Sequence, residues 1–279
     1  MWRDYDDSPL GTSDQWVSAF VAGALAHPGL FKVPNANATA RRAARRLLVG
    51  RTFEAGFGFN ERAGPDADST AHALILQRRL GMPVEANDVR FLRAHFRANG
   101  GCATYLRADA WGVAHVDVTP VAFLALPKAD CTELGGRVRR FSDLCREGDG
   151  GWPAYWWRGR DYSTYWNLRL MRTLVGPRHL PSEDARPRET AFEVAYALAA
   201  STVSGCTDNL LAQQLVELQG RDGSWSGAPN LRVTDPRCYR PWEASAGTYL
   251  TDNRSAVTTA SALVALGTLL DTEQTWERT

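Results

Sequence analysis

The sequence predicts an all-α protein, an (α/α) barrel or two-layer toroid of about five to six helix-hairpin repeats. Three observations lead there. Short segments led by Asp, Ser or Thr recur and run into stretches rich in Ala and Leu. Amphipathic segments alternate with them. Several of the amphipathic segments close in a Gly/aromatic turn. A run that is apolar all round has to be buried on every side, whereas apolar residues at helical period bury one stripe only. Alternation of the two gives an inner and an outer layer. No single pair covers its own apolar face, so neighbouring pairs must stack.

The inner segments come first. Asp14 to Ala26 is the earliest copy. Asp68-Ser-Thr70-Ala-His-Ala-Leu, Asp117-Val-Thr119-Pro-Val-Ala-Phe-Leu, Asp161-Tyr-Ser-Thr164-Tyr-Trp, Glu189-Thr190-Ala-Phe-Glu and Ser255-Ala-Val-Thr258-Thr-Ala-Ser-Ala-Leu follow. Asp, Ser and Thr at their fronts are expected to cap the free amides of a first helical turn. The outer segments are Ala36 to Leu48, Asn87 to Arg97, Glu133 to Arg146 and Asp208 to Leu218. Arg41, Arg42, Arg45 and Arg46 fall on one face of the first of these, read as a solvated face. The turns are Gly56-Phe-Gly-Phe59, Gly100-Gly-Cys-Ala-Thr-Tyr105, Gly150-Gly-Trp-Pro-Ala-Tyr155 and Asp222-Gly-Ser-Trp225. Thr70, Thr119 and Thr164 stand at nearly equal steps, Thr190 comes early and Thr258 late. One outer helix is therefore expected to be missing after Val175, and a long loop to run from Ser226 to Asn253. No Pro-, Gly- or Ser-rich linker divides the chain, so residues 1–279 read as a single domain.

Composition bounds the function. The chain has 279 residues, 44% hydrophobic and 23% charged, with a net charge of +1. It can bury a sizeable core, and its charge gives no broad case for nucleic acid or an anionic membrane. Met1 to Leu10 lacks the apolar stretch of a signal peptide, and no segment reaches the roughly 20 apolar residues of a membrane span. The five cysteines, Cys102, Cys131, Cys145, Cys206 and Cys238, form no CxxC pair. They read as free thiols in a reducing cytoplasm.

Gln219-Gly-Arg-Asp-Gly223-Ser-Trp225 fits the Q-x-x-x-G-x-W repeat of the squalene–hopene and oxidosqualene cyclases, and Arg146-Glu-Gly-Asp-Gly150-Gly-Trp152 is a copy with the Gln replaced. The Gly56 and Gly100 turns are weaker copies. Asp66-Ala-Asp68-Ser-Thr70-Ala71 resembles the D-x-D-D-T-A motif of class II terpene cyclases, with Ser69 in place of the last Asp. The resemblance spans about Asp14 to Leu270. It implies an α/α barrel that protonates an alkene or epoxide and cyclises the product through carbocations, with Asp68 as the general acid. Asp117-Val-Thr119 resembles an element in which a following His assists that acid. Val121 holds the His position here, and His115 and His72 are the candidate substitutes. Class II cyclases pair two helical barrels, and this chain has length for one. A second copy could close the cavity, so a homodimer is among the expectations. No acidic diphosphate–magnesium motif is present. The related protein-prenyltransferase β subunits bind zinc through Asp, Cys and His, but the last His here is His179. No metal or other cofactor is therefore expected.

The residues support such chemistry on their own terms. An Asp of pKa about 3.9 is protonated in about one molecule in a thousand at pH 7, and raising it three units takes roughly 4 kcal/mol. Burial can do this, helped by neighbouring carboxylates such as Asp66 and Asp117. A helix N-terminus opposes it by favouring the anion. Asp68 thus reads either as the acid or as a helix cap, and the two can coexist. A carbocation calls for aromatic walls. Tyr162, Tyr165 and Trp166, at an inner-helix start, and Trp111, Trp156 and Trp157 are the candidates. Trp152 and Trp225 belong to the repeat turns and read as structural. The 226–253 loop carries Arg232, Arg237, Tyr239, Arg240, Trp242 and Tyr249, and reads equally as a lid whose Arg receives a carboxylate or phosphate or as an oligomer contact. The expected activity is cyclisation or isomerisation of an apolar polyene or prenylated small molecule. A non-catalytic barrel that binds a small molecule or protein is the first alternative, and a prenyltransferase-like transferase the second.

Overall fold

Apolar runs this long lower their free energy only by packing on one another, each buried Val, Leu or Phe contributing about 1.5–3 kcal/mol. The computed structural model describes residues 1–7, 9–176, 186–244 and 247–276, with side chains as far as 271 in the last segment. Among these it is mostly helical. The ten α-helices are α1 (Gln15–Leu25), α2 (Ala36–Val49), α3 (Ala67–Arg79), α4 (Ala86–Ala94), α5 (Val118–Ala125), α6 (Lys128–Leu144), α7 (Asp161–Val175), α8 (Ala191–Val203), α9 (Asn209–Glu217) and α10 (Ala256–Trp276).

The inner and outer layers are visible in burial. Most of α1, α3, α5, α7 and α8 is buried, whereas α4 buries only Asp88 and Leu92 and α9 only Leu215. In α2, Ala40, Ala43, Ala44 and Leu47 face inward while Arg41, Arg42, Arg45 and Arg46 are exposed. The buried helices pack in sequence order, α1 on α3, α3 on α5, α5 on α7, α7 on α8 and α8 on α10, and α10 packs on α1. The largest core cluster runs from Tyr5 to Ala265. The outer helix expected to be missing falls partly on 177–185, outside the described residues. Residues 186–190 are not helical, and α7 and α8 pack directly on each other.

The all-helical expectation needs one addition. Four two-stranded antiparallel hairpins sit among the helices: β1 (Asp4–Asp7) with β2 (Gly11–Ser13), β3 (Phe57–Gly58) with β4 (Pro65–Asp66), β5 (Cys102–Ala103) with β6 (Ala114–His115), and β7 (Pro229–Val233) with β8 (Thr248–Thr251). The last lies within the 226–253 segment, which is a long hairpin where an irregular loop was expected. All of these strands are two to five residues, too short to leave a period-2 signal in the sequence.

The repeat threonines also act differently from the expected caps. Thr70, Thr119 and Thr164 lie inside their helices, and each hydroxyl accepts the backbone N–H of the preceding turn: Phe57, Cys102 and Trp152, at 2.9, 2.8 and 3.2 Å. In the last repeat Thr259, one residue beyond Thr258, does the same for Trp225 at 3.1 Å. Thr70 and Thr119 pass their own proton to the carbonyl four residues back, both at 2.6 Å. Each Thr thus satisfies a turn amide that would otherwise be buried unpaired. Thr190 alone caps, in a capping box with Glu193. The two tryptophan turns match in detail. The Trp152 and Trp225 indoles donate to Ser142 O and Leu215 O of the outer helix before them, at 2.7 and 2.6 Å. Gln219 Nε2 donates to Gly223 O at 2.9 Å, and Arg146 Nε donates to Gly150 O at 3.1 Å, so the Arg reproduces the bond of the Gln it replaces. Gly150 and Gly223 have φ of 90° and 83°, where a side chain is strained.

Candidate active site

The turns and inner-helix starts converge on a cavity of about 200 Å³. α1 contributes Trp16. The β3–β4 and β5–β6 turns contribute Phe59, Asp66, Thr104, Tyr105 and Trp111, and α3 contributes Asp68 and Ser69. The segment before α7 contributes Trp156 and Trp157. Leu231, Arg232, Val233, Thr234 and Leu250 of the long hairpin lie across it, and Asp7 and Leu10 of the N-terminal hairpin complete the rim. That long hairpin is bonded down along its length. Arg158 N donates to Asn230 O, Arg232 N to Trp156 O, Ala110 N to Pro236 O and Trp111 Nε1 to Thr234 Oγ1.

Asp66 and Asp68 stand two residues apart but do different work. Asp66 is the N-cap of α3: Oδ1 accepts Ser69 N–H and Oδ2 accepts the Ser69 hydroxyl, both at 2.7 Å. Ser69, where the family motif has Asp, therefore serves the neighbouring carboxylate. Burial raises Asp66 to about 6, while the Ser69 bonds oppose the shift. Asp68 lies in the first turn and keeps 16% of its side chain exposed, toward the cavity it lines. Burial first and then the charge of Asp66 push its carboxyl well above the usual range. The Trp16 bond opposes this, and Asp117 adds a smaller upward push. The Trp16 indole N–H donates to Asp68 Oδ2 at 2.7 Å. That leaves Oδ1 as the oxygen to carry a proton. His72 Nε2 is 3.8 Å from Oδ1 and shares a 3.1 Å hydrogen bond with the Tyr162 hydroxyl.

The remaining sequence candidates fall into two groups. Trp111, Trp156 and Trp157 line the cavity. Trp156 stands edge-on to Tyr105 at 6.5 Å and tilted to Trp111 at 6.0 Å, and Trp157 is tilted to Trp16 at 5.6 Å. Asp117, His115, His72, Tyr162, Tyr165 and Trp166 lie behind this wall. Asp117 accepts Trp156 N–H at 2.8 Å and so holds that ring's backbone; burial raises its carboxyl to about 6. His115 supports the same ring from behind. Its Nε2 bonds Ala110 O, its Nδ1 bonds the Thr104 hydroxyl at 2.7 Å, and that oxygen accepts Trp156 Nε1 at 2.8 Å. Burial lowers His115 to about 4 and His72 to about 3, so both are neutral near pH 7. Tyr162 stacks under Trp157 at 4.5 Å, and Tyr165 and Trp166 pack in the layer below with Tyr196. They fill the interior, so their positions at a helix start turned them toward the core and away from the cavity.

Of the hairpin residues, Arg237 pairs with Asp235 and Arg240 with Glu243 on the exposed side, while Arg232 is buried. Trp16, Phe59 and Tyr105 were not singled out from the sequence as cavity residues. Phe59 and Tyr105 end the Gly/aromatic turns, which is the signal that could have found them. Trp16 carried none, because its partner Asp68 is 52 residues away. Among the described residues no three His, Cys, Asp or Glu side chains group as a metal site. His179 lies outside the described residues. No described helix is long and apolar enough to cross a membrane.

No protein-family model matches the chain, and no curated protein matches it. Solved structures do. The chain is similar to the type II terpene cyclase MstE from Scytonema, with TM-score 0.80 and 19% identity over 97% of this chain and 92% of that one. A variant of that cyclase in complex with its substrate, geranylgeranyl dihydroxybenzoate, gives TM-score 0.79. A protein from Actinoplanes gives TM-score 0.80 with 27% identity over 96% of this chain and 92% of that one. The ent-copalyl diphosphate synthase from Streptomyces platensis gives TM-score 0.60 with 18% identity, over 92% of this chain and 51% of that one. The chain shares the fold of type II terpene cyclases over nearly its whole length.

Proposed function

We propose that the chain is a single-domain α/α barrel, closed where α10 meets α1, and a class II terpene cyclase-like enzyme acting on a polyene or prenylated small molecule. The observation that carries this is Asp68: a carboxyl raised by burial and by Asp66, open to a cavity walled by Trp16, Phe59, Tyr105, Trp111, Trp156 and Trp157. The fold it shares with terpene cyclases, one of which binds a geranylgeranylated dihydroxybenzoate, supports the same reading.

In this mechanism Asp68 Oδ1–H donates its proton to the less substituted carbon of a terminal alkene. The alkene π electrons form the new C–H bond and leave a tertiary cation on the neighbouring carbon. The next alkene of the chain supplies its π electrons to that cation and closes a ring, and loss of a proton ends the sequence. Trp16 holds Oδ2 and so stabilises the Asp68 carboxylate left after proton transfer. Aromatic faces attract the cation by about 0.5–2 kcal/mol each without trapping it. Asp66, through its charge, and Asp117, through Trp156, set the surroundings of the acid.

The test is Asp68→Asn with farnesylated and geranylgeranylated phenols or benzoic acids in deuterated water. The wild type should give a cyclised product carrying one deuterium at the initiating carbon. The variant should fold and bind but lose turnover by about a thousandfold or more. Undiminished turnover in the variant would overturn the role given to Asp68, and binding without turnover by the wild type would favour a barrel that only binds its ligand.

A further inference from the structure

We propose that Arg232 forms a subsite for a monoanionic carboxylate on the substrate, on a different wall of the cavity from Asp68. The proposal rests on the cyclase reading, which supplies the apolar remainder of that substrate.

Alternation along β7 turns Asn230 and Arg232 inward and leaves Pro229 and Val233 exposed. Arg232 is only 6% exposed. Its Nη1 donates to Ala154 O and Tyr155 O at 2.7 and 3.0 Å, which fixes the guanidinium plane against the segment before α7. A guanidinium has five N–H donors. Nε has no partner in the structure, and all of the side chain's hydrogen bonds run through Nη1.

A buried cation with unfilled donors is costly unless something completes it. Among the described residues no carboxylate forms an ion pair with Arg232. Asp117 feels its charge but directs Oδ2 to Trp156 N–H. The Tyr249 ring, 5.8 Å away, stabilises the cation without using an N–H. Arg232 is also the one basic side chain among the cavity-lining residues described, set against Asp7, Asp66 and Asp68. An anionic group entering this cavity is attracted to that one place. The same balance disfavours a diphosphate, whose several charges would meet one cation beside the carboxylates of Asp7 and Asp66. A carboxylate fits a guanidinium edge with one charge and two oxygens.

The experiment measures binding, so it does not depend on turnover. Tryptophan-fluorescence titrations compare farnesyl-substituted hydroxybenzoic acid, its methyl ester and farnesyl diphosphate, on wild type, Arg232→Gln and Arg232→Lys. Wild type should bind the acid roughly tenfold or more tighter than the ester, and tighter than the diphosphate. Arg232→Gln should bring the acid-to-ester ratio near one with ester affinity retained, and Arg232→Lys should keep part of it. Arg232 also ties down the hairpin, so circular dichroism accompanies each titration. If the Gln variant does not fold, the wild-type ratio and the Lys variant decide. Equal binding of acid and ester by wild type, no binding of the acid, preference for the diphosphate, or a ratio undiminished in a folded variant would each overturn the proposal. Asp68→Asn should leave the acid-to-ester ratio intact. Loss of the cyclase reading and loss of this subsite are therefore separable results.

Discussion

The starts of α3 and α10 pose the same problem and solve it differently. Each brings two buried carboxyls to the N-terminus of a buried helix. At α10 both are consumed by the backbone. Asp252 accepts Val257 N and Thr258 N at 3.2 and 2.6 Å, and Asp4, from the far end of the chain, accepts Arg254 N at 3.1 Å and Ala256 N at 3.4 Å. Burial and a hydrogen bond with Asp4 raise Asp252 to about 7. At α3 only Asp66 is consumed. Asp68 receives one indole N–H, keeps an oxygen uncommitted and faces a cavity. Both sites raise a carboxyl, so a raised pKa alone does not mark an acid. What separates them is where the proton can go: at α10 back to a neighbouring carboxylate, at α3 to whatever fills the cavity.

The comparison breaks first at Asp68. Asp68→Asn should cost about a thousandfold or more in turnover with little change in melting temperature, whereas Asp252→Asn should keep turnover within a few-fold. Next in size is Asp252→Ala, which strands two helix amides and should cost about 2–4 kcal/mol in urea unfolding. A loss below 1 kcal/mol would show that Asp4 holds α10 alone. Trp16→Phe sharpens the α3 side. Its N–H favours the anion, so removal should raise Asp68 further, by roughly one to two units if the bond contributes 1.5–3 kcal/mol. The alkaline limb of the pH–rate profile should move up by that amount, and a downward move would contradict the role given to Trp16.

The smallest effect is on stability against pH. Asp66, Asp117 and Asp252 are raised, to about 6, 6 and 7, so between their unfolded and folded values the folded state holds more protons. Their contribution is present at low pH and lost as pH rises through those values. His27, His72 and His115, lowered to about 3, 3 and 4, act oppositely, costing stability as pH falls below their unfolded value of 6.5. Above about pH 7.5 the histidines are neutral in both states and no longer offset the carboxyls, so stability should fall there as Asp252 finishes titrating, by at most about 1.4 kcal/mol per pH unit for each group. Asp252→Asn should flatten part of that fall.

Legibility in the sequence follows the range of the interactions. Ala36–Val49 and Asn209–Glu217 lie within a residue or so of the segments read as Ala36 to Leu48 and Asp208 to Leu218, because helical period is a local property. Asp66 and Asp68 were legible because a motif names them. The threonines were visible as a period, but their bonds to turns 12 to 34 residues earlier were not, and they read as caps. Trp16 was invisible as a site element because its partner lies far along the chain, and the 226–253 segment was legible as a candidate lid or oligomer contact but not as a hairpin. Tyr162, Tyr165 and Trp166 were drawn to the cavity by their place at an inner-helix start, and a helix start does not say which layer its rings fill.

The Asp4 carboxylate that reaches α10 is a contact between residues 252 apart in the chain. The threonine staples, by contrast, join near neighbours. Closing so long a loop costs more chain entropy than closing any of the threonine staples. The cavity that Asp68 faces is lined from both ends of the chain, by Asp7, Leu10 and Trp16 and by Leu231, Arg232 and Leu250. On the cyclase reading, the setting of the proposed acid is thus complete only once the two ends of the chain have met.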